Sequence, residues 1–407
     1  MNHINSKVLL GLGVAAAVSL GAALWLSTSS RPSSESPESQ SFALADLHDH
    51  VNDVKGIGIV VAENKPAVTL VNGDKGWVIQ EKAGYPANTG KLRELLLKLA
   101  DARLLEAKTA NEQRYAELAV EDIKSKDAKG VLIKLDGLSK PASLIVGNTS
   151  NHGDSTFVRR PDDKQSWLAS GLINVERDPV QWLDTALLDI AADRIGEIIL
   201  TKPGNKSVRL FKQQAGDSNF QVADLPTGRQ AADAAVINGL ASTLAGLTLQ
   251  DVASAQSLPA PDDSQLLKAR YRRFDGVAID VAAWTKEDKY YARFSAALDQ
   301  PQADTAIQSE QAKAKADYDA KQKPGNPVAE SSGLPPLAVS DPAKHRQQRL
   351  DELTAEVATL NQRWQGWSYT IPAYTYTNMD KTLNDVLKPV EKKTKTETGS
   401  KKSAGKH

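Results

Sequence analysis

The stretch GIGIVV at residues 56–61 decides how the folded part of this chain is built. It is a short apolar run with four β-branched residues, the composition and length of a buried strand. Leucines at 92, 95, 96 and 99 recur with helical spacing and predict a helix over 91–102. Further strands are predicted at 68–71, 76–81, 130–135, 142–147 and 156–159. Strands and helices in this order predict an α+β fold of mixed, mainly antiparallel sheets with packed helices.

A second stretch, IGEIIL at residues 195–200, opens a similar series of elements. The matching elements are strands at 207–212 and 219–223, a helix around 236–244 and strands at 276–281 and 290–294. Matched positions lie roughly 140 residues apart, as a tandem duplication with unequal loops would give. We therefore predict a first α+β repeat over 42–190 and a second over 191–387. The alternative is that so common an order of elements recurs by chance.

Three segments depart from this repeat. Asp178 and Pro179 are typical of a helix start, so a short helix is predicted from there to Ile190, with an echo at 379–387. Residues 299–365 are interpreted as an insertion of two polar helices around a Pro-rich loop, either a docking arm or a solvated excursion. Residues 388–407 hold seven Lys against two Glu and predict a disordered tail.

The composition excludes several classes of protein. The 407 residues carry 50 basic and 50 acidic side chains, and this balance argues against a nucleic-acid-binding protein. Cysteine is absent, which rules out disulfides, thiolate zinc sites, iron–sulfur clusters and cysteine nucleophiles. Apolar residues make up 41% of the chain, enough to form a core.

Residues 8–26, VLLGLGVAAAVSLGAALWL, carry no charge. As a helix they would extend roughly 28 Å, close to the thickness of the hydrocarbon core of a bilayer. We predict a single transmembrane helix here, with residues 1–7 in the cytoplasm and a flexible tether at 27–41. The bulk of the chain is then expected in the periplasm, at the inner membrane. The alternative is a cleaved signal peptide, although its small-residue cleavage site at 27–29 is poor.

No arrangement of residues marks a catalytic centre. Asp46, His48, Asp49 and His50 form the one dense group of metal-ligand types, and in a strand the two histidines would share a face. Solvated polar residues after a tether explain this group as well. Phosphate-binding-loop, dinucleotide and nucleophile-elbow motifs are absent from the sequence. We predict that the chain is not an enzyme and assign no catalytic, cofactor-binding or metal-binding residue and no cofactor.

Two arginine pairs lie beside or within predicted strands. Arg159-Arg160 and Arg272-Arg273 can bind an anion or a polysaccharide. Exposed strand-edge charges that discourage aggregation are the alternative explanation. Lone acids such as Asp280 are chemically able to act as a general acid or base, but nothing around them marks that role.

The whole layout resembles the domain of unknown function 4340 family. The residues that carry the resemblance are the N-terminal apolar run, Gly76-Trp77-Val78-Ile79, Arg177-Asp178-Pro179, Trp182, Leu187-Leu188-Asp189-Ile190 and Ile195-Gly196-Glu197-Ile198. The resemblance covers most of residues 42–300 and resumes near Trp364, whereas the insertion and the Lys-rich tail depart from it. Members of that family are typically encoded beside an ABC transporter of the gliding-motility or auxiliary type. The resemblance therefore implies an envelope-side accessory subunit, and it supplies no catalytic residues.

Together these expectations predict a non-enzymatic, membrane-anchored periplasmic accessory subunit of an ABC-type transport system. It would bind or position a permease or its substrate, and a separate ATPase would be an indirect partner because this chain has no phosphate-binding loop. The alternative is an envelope module that binds glycan or peptidoglycan through an exposed aromatic groove. The aromatic residues of the second half that can line such a groove are Trp284, Tyr290, Tyr291, Trp364, Trp367, Tyr369, Tyr374 and Tyr376.

Overall fold

Antiparallel strands dominate the computed structural model, which describes residues 41–151, 153–322 and 334–389. Buried and exposed positions alternate along many of these strands, as expected for sheets with one face turned to water. In chain order the strands are β1 (Gly56–Val61), β2 (Lys65–Gly73), β3 (Gly76–Ile79), β4 (Tyr85–Pro86), β5 (Leu104–Ala107), β6 (Val131–Asp136), β7 (Ala142–Thr149), β8 (Ser155–Arg159), β9 (Ser166–Ser170), β10 (Ala186–Leu188), β11 (Ile195–Thr201), β12 (Val208–Phe211), β13 (Gln221–Val222), β14 (Leu247–Thr248), β15 (Asp251–Ser254), β16 (Leu267–Arg273), β17 (Val277–Lys286), β18 (Lys289–Leu298) and β19 (Trp367–Thr370).

The α-helices are few and most are short. In chain order they are α1 (Ala45–His50), α2 (Thr89–Asp101), α3 (Tyr115–Leu118), α4 (Ala234–Ala241), α5 (Gln300–Lys321), α6 (Leu337–Ser340), α7 (Pro342–Trp364) and α8 (Ala373–Met379). Helix α2 buries the four leucines whose spacing predicts it, so the helix expected over 91–102 is confirmed with a start two residues earlier.

No helix within residues 41–151, 153–322 and 334–389 combines the length and the apolar character that crossing a bilayer requires. The two longest, α5 and α7, have 22 and 23 residues, but Gln, Lys, Arg, Asp and Glu are spread over their faces. The predicted fold class with an N-terminal transmembrane helix is therefore corrected to an α+β fold of large antiparallel sheets. The segment 8–26 to which that helix was assigned lies outside the described residues, as do 1–7, most of the tether and residues 390–407 of the tail.

The first of two units comprises the described residues up to Lys75 together with Gly90–Arg177. Its strands pair in the order β2-β1-β6-β7-β8-β9-β5. One face of this sheet buries residues such as Ile59 and Ile133. The other face is covered by residues 115–123, here named the covering segment, which packs against Val60, Leu132 and Ile145.

The second unit comprises Gly76–Thr89 and the described residues from Asp178 onward. Its eight-stranded sheet has the order β13-β12-β11-β16-β17-β18-β19-β15. One face buries Ile198, Leu200, Tyr271 and Val281, whereas the opposite face carries charged residues at the alternate positions. The same unit contains the hairpin β3–β4 and the two-stranded pairing of β10 with β14.

The two sheets share one strand order. Strands β2, β1, β6, β7, β8, β9 and β5 of the first correspond in sequence to β12, β11, β16, β17, β18, β19 and β15 of the second. In each unit the strand that follows a helix, β5 or β15, pairs with the last strand of the sheet. This shared order supports a duplication, while the predicted boundary between the repeats at residues 190 and 191 stays a prediction.

The strand correspondence differs from the one drawn from sequence. The sequence pattern pairs 130–135 with 276–281, which is β17, but strand order makes β16 the counterpart of β6. Every half-buried antiparallel strand has the same alternation, so one strand is easily mistaken for its neighbour. The predicted helix from Asp178 to Ile190 is likewise a 3-10 turn at Pro179–Trp182, capped by the Asp178 side chain, followed by β10. In the predicted echo, α8 ends at Met379 and a 3-10 turn covers Leu383–Val386.

The insertion of the second unit lies between β18 and β19 and contains α5, α6 and α7. Helices α5 and α7 are joined by polar contacts, including an ion pair of 2.8 Å between Asp304 and Arg346. Toward its C-terminal end, α7 is embedded in the unit, where Asn361 bonds both backbone groups of Ala296 in β18 at 2.8 Å. The insertion is thus anchored at one end of α7 by specific contacts with the sheet.

Candidate functional site

The group around His48 and His50 does not assemble into a metal site. These residues lie on helix α1 rather than on a strand, so side chains two positions apart point to different sides. His48 stacks on Phe42 at 4.1 Å between ring centroids, and His50 bonds Asp53 at 2.9 Å. Across the described part of the chain, no group of three or more His, Cys, Asp or Glu is arranged to hold a metal ion.

One arginine of each pair, Arg159 and Arg273, has a structural role that neither interpretation anticipates. Arg159 is buried at 5% exposure, and it donates to the carbonyls of Val120 and Asp163 at 2.8 and 3.1 Å. Arg273 is buried at 2% exposure and pairs with the carboxylates of Asp275 and Glu356. Neither residue is an exposed edge charge, because its guanidinium satisfies groups inside the fold.

The aromatic residues proposed to line a glycan groove lie mostly in the core. Trp284, Trp364 and Tyr369 are buried, and Tyr290, Tyr291, Trp367 and Tyr376 are partly buried. Tyr374, at 58% exposure, is the one member of the set that is exposed. Their ring contacts, such as 5.7 Å between Phe294 and Trp364, are those of core packing.

The open face of the second sheet gathers charged side chains from five strands. We call it the outer face. One row across it runs Arg209, Ile199, Arg270, Asp280 and Ser295, each directly opposite the next on the neighbouring strand. Strand alternation explains the row, because the residues on either side of each member turn toward the core.

A neighbouring row of the outer face runs Thr201, Lys268, Ala282 and Arg293. Between the two rows lies a cavity of about 490 Å³, here named the depression, whose lining includes Ile199 and Arg270. This volume falls in the range of small-ligand sites. The outer face therefore offers a concave surface with apolar floor and charged rim.

Arg270 and Asp280 form a two-point ion pair within the depression. The guanidinium donates from Nε and Nη2 to the two carboxylate oxygens at 2.6 and 2.9 Å. This hydrogen bonding holds the pKa of Arg270 above its ordinary value, so the side chain stays charged. Paired in this way, Asp280 is an acceptor fixed by arginine rather than a general acid or base.

Among the residues that the structure describes, Arg293 is held in place by neutral groups and not by a carboxylate. Its Nη2 donates to the carbonyls of Ala255 and Leu258, both at 3.0 Å, and its Nε donates to Ser368 at 2.9 Å. The guanidinium carbon also lies 5.7 Å from the ring centroid of Trp284. Because these partners are neutral, they leave the positive charge of Arg293 uncompensated, and the guanidinium can attract an anionic ligand.

A smaller cavity of about 200 Å³ adjoins the first row at the other end of β11. At its edge Glu197, with a side chain only 10% exposed, lies between two arginines. Its Oε1 accepts from Arg209 at 2.5 Å, and its Oε2 lies 3.2 Å from Arg272. The Nε of Arg272 is buried there and has no hydrogen-bond partner within the described part of the chain, so this end of the outer face holds an unused donor.

Sequence reasoning found only one edge of this surface. It singles out Arg272-Arg273 but not Lys268 or Arg270, because it does not predict β16 as a strand. It also passes over Arg293, although that residue lies in the strand predicted at 290–294. The signal was present in LKARYRR at 267–273, where basic residues alternate with buried ones. Nothing in the linear sequence, however, places Asp280 beside Arg270.

Part of the chain matches a known protein family. Residues 77–268 match the family described as domain of unknown function (DUF4340), which confirms the predicted resemblance over this stretch. No curated protein and no solved structure matches the chain. The match ends at Lys268, so Arg270, Asp280, Arg293 and the helical insertion lie beyond it.

Proposed function

We propose that this chain, whose residues 77–268 carry a domain of unknown function (DUF4340), is a non-enzymatic accessory subunit of an ABC-type transport system of the cell envelope. It acts outside the cytoplasm by binding and positioning the permease or its substrate. The family match supports the first part of the proposal. The open outer face supports the second, because its charged groups form fixed ion pairs around a cavity instead of an acid, base and nucleophile within reach of a reacting atom.

The outer face is the single observation that carries the binding role. Most antiparallel sheets can leave one face in water, but a solvated face rarely needs a concavity of about 490 Å³ bordered by arginines fixed from behind. Fixed side chains lose little conformational entropy when a partner binds, so such a surface is suited to recognition.

Co-purification of the full-length chain from its own cells tests the proposal. Cells are cross-linked before lysis, the membranes are dissolved in a mild detergent, and the proteins captured with this chain are identified. We expect a permease and, through it, an ATPase. Repeated recovery of the chain without either protein contradicts the proposal. Capture on isolated cell wall instead would favour a glycan-binding role.

The cellular location is tested separately with protease added to spheroplasts. The proposal expects the two units to be digested from outside while a cytoplasmic control protein stays intact. Protection of both units until the cells are lysed would exclude a role outside the cytoplasm.

A further inference from the structure

The duplicated strand order permits a comparison between the outer face and its counterpart in the first unit. In the first sheet the row Val60, Leu132, Ile145 and Arg159 joins directly opposite residues of β1, β6, β7 and β8. Matching GIGIVV at 56–61 with IGEIIL at 195–200 sets buried Ile59 against buried Ile198 and Val60 against Ile199. With that match, the register makes Ile199, Arg270, Asp280 and Ser295 the corresponding row of the second sheet. The two rows therefore occupy the same place in their respective sheets.

In the first unit this place is filled by protein. The covering segment packs Tyr115, Val120 and Ile123 against the apolar row and closes a small second core. Arg159, at the end of the row, donates to the carbonyl of Val120 and lies 4.6 Å from the ring of Tyr115. A short polypeptide segment is thus the natural occupant of this position in the fold.

In the second unit the same place is the depression. The connection between β5 and β6 that supplies the covering segment spans 108–130, whereas the connection between β15 and β16 spans only 255–266. The corresponding row has also changed from apolar to charged, with Arg270 and Asp280 in place of Leu132 and Ile145. The cavity of about 490 Å³ lies where the first unit has its covering segment.

The glycines under the covering segment show how closely that segment approaches. A Cβ on Gly147 would lie 2.2 Å from the carbonyl oxygen of Leu118, and one on Gly130 would lie 2.2 Å from that of Ala119. By register, Ala282 and Lys268 take these two positions in the second sheet. An occupant of the depression must therefore stand farther from the backbone and interact through side chains.

The charge of the outer face indicates which side chains an occupant of the depression would need. The cations on or beside the outer face are Arg209, Lys212, Lys268, Arg270, Arg272 and Arg293. The carboxylates paired with them are Glu197, Asp263, Asp280 and Asp299. Counted over the described residues, these six cations exceed the four carboxylates by two, and a ligand with carboxylates would balance that excess.

We propose that the depression binds a short acidic polypeptide segment of a partner protein, in the position that the covering segment fills in the first unit. Apolar side chains of the partner would contact Ile199 and Ala282, and its carboxylates would reach Lys268, Arg270 and Arg293. The inference rests on the proposed function and adds the surface and the chemistry of the partner.

A peptide with the sequence of the covering segment itself, YAELAVEDI, is the first probe, because it combines suitable apolar residues with three carboxylates. It is labelled and titrated with the full chain in a fluorescence anisotropy assay. We expect saturable binding that Lys268→Glu weakens by about tenfold or more. Lys286→Glu, an exposed change at the far end of β17, is the matched control and should bind like the wild type.

Two outcomes of the titration contradict the proposal. One is equal binding by the Lys268→Glu and Lys286→Glu variants, which would show unspecific charge attraction. The other is equal binding of a control peptide in which the three carboxylates are replaced by lysines. Circular dichroism of both variants establishes that a loss of binding is not a loss of folding.

Photo-cross-linking in cells supplies the second arm and separates this inference from the proposed function. A photoreactive residue is placed at Thr201 or Ser295 in the depression, or at Lys286 as the control. Cross-links from the depression to an acidic segment of a protein support the inference. If a permease co-purifies but cross-links only elsewhere, the inference fails and the proposed function stands. If the peptide binds but no transport protein is captured, the proposed function fails and the site stands. Cross-links from the depression to lipid or glycan alone overturn the inference.

Discussion

At the scale of single residues, buried arginines decide where several segments lie. Arg273 is enclosed at 2% exposure, and it joins the end of β16 to α7 through Glu356, which is itself 40% exposed. Removing one carboxylate from a buried guanidinium leaves part of its charge uncompensated. We therefore expect this pair to contribute more to the free energy of unfolding than each of the ion pairs on the helix surface.

Replacing Glu356 by Gln tests this difference. We expect a loss of about 1–3 kcal/mol in the free energy of unfolding, measured by urea denaturation. Glu352→Gln is the matched control on the same helix, because Glu352 pairs with Arg349 at the surface and is 48% exposed. That control should lower the free energy of unfolding much less, because solvent screens a surface ion pair. Equal effects of the two changes would show that Arg273 does not depend on Glu356.

At the scale of elements, the covering segment and the sheet beneath it are matched by two glycines. Gly147→Ala introduces a methyl group where the Leu118 carbonyl oxygen lies 2.2 Å away, so the segment must move. We expect a loss of about 1–3 kcal/mol in denaturant unfolding and faster hydrogen exchange in residues 115–123. Gly73→Ala is the control, because a Cβ there meets nothing within 4 Å. Unchanged exchange in the segment would contradict this account.

Helix α7 and strand β18 are joined by a side chain that bonds the backbone of β18 as a neighbouring strand would. Asn361 accepts from the backbone N–H of Ala296 and donates to its carbonyl, both at 2.8 Å. Asn361→Ala should cost about 1–3 kcal/mol in urea unfolding, since it leaves two backbone groups unpaired. The exposed neighbour Gln362 provides the control, and its change to Ala should fall within about 0.5 kcal/mol of wild type. A wild-type midpoint for Asn361→Ala would argue that water replaces the amide fully.

The strands and helices of this chain are predictable where buried apolar residues repeat along the sequence with the period of a strand or a helix. The strands β1 and β11 and the leucine face of α2 follow directly from their apolar patterns. Strand β16 was missed because its alternate positions are Lys268, Arg270 and Arg272. The depression could not be predicted at all, since it depends on which residues stand opposite each other across four strands and on a short connection at 255–266.

At the scale of the whole molecule, ionisable groups buried in the second unit predict its response to alkali. Burial raises the pKa of Tyr85 to about 12, and it raises the pKa of Tyr271 and of Tyr369 as well. Tyr85 lies 5.1 Å from Trp367 and 6.2 Å from Tyr369 between ring centroids, so its hydroxyl belongs to a packed aromatic group. These phenols stay protonated in the folded state at a pH where free tyrosine ionises.

The sign of the effect follows from the raised pKa. Below pH 10 the Tyr85 hydroxyl keeps its proton in both the folded and the unfolded state, so the folded state has its full stability. Between pH 10 and 12 the hydroxyl ionises in the unfolded state first, which favours unfolding. We expect the unfolding free energy to fall by up to about 2–3 kcal/mol for Tyr85 alone across that interval. Tyr85→Phe should flatten this part of the curve in thermal unfolding measured against pH. An unchanged slope would show that Tyr85 does not contribute to it.

Helix α7 has a further consequence for the behaviour of the molecule in concentrated solution. Strand β19 pairs with β18 only at Tyr291 and Ala292. Farther along the same edge of β18, Asn361 occupies the backbone hydrogen-bonding groups of Ala296. Without the Asn361 amide, this edge of β18 becomes a template on which a second copy of the chain can add a strand. Repeated addition would give linear polymers. The insertion therefore covers part of this strand edge, and we expect a variant with a shortened insertion to form fibres before it unfolds.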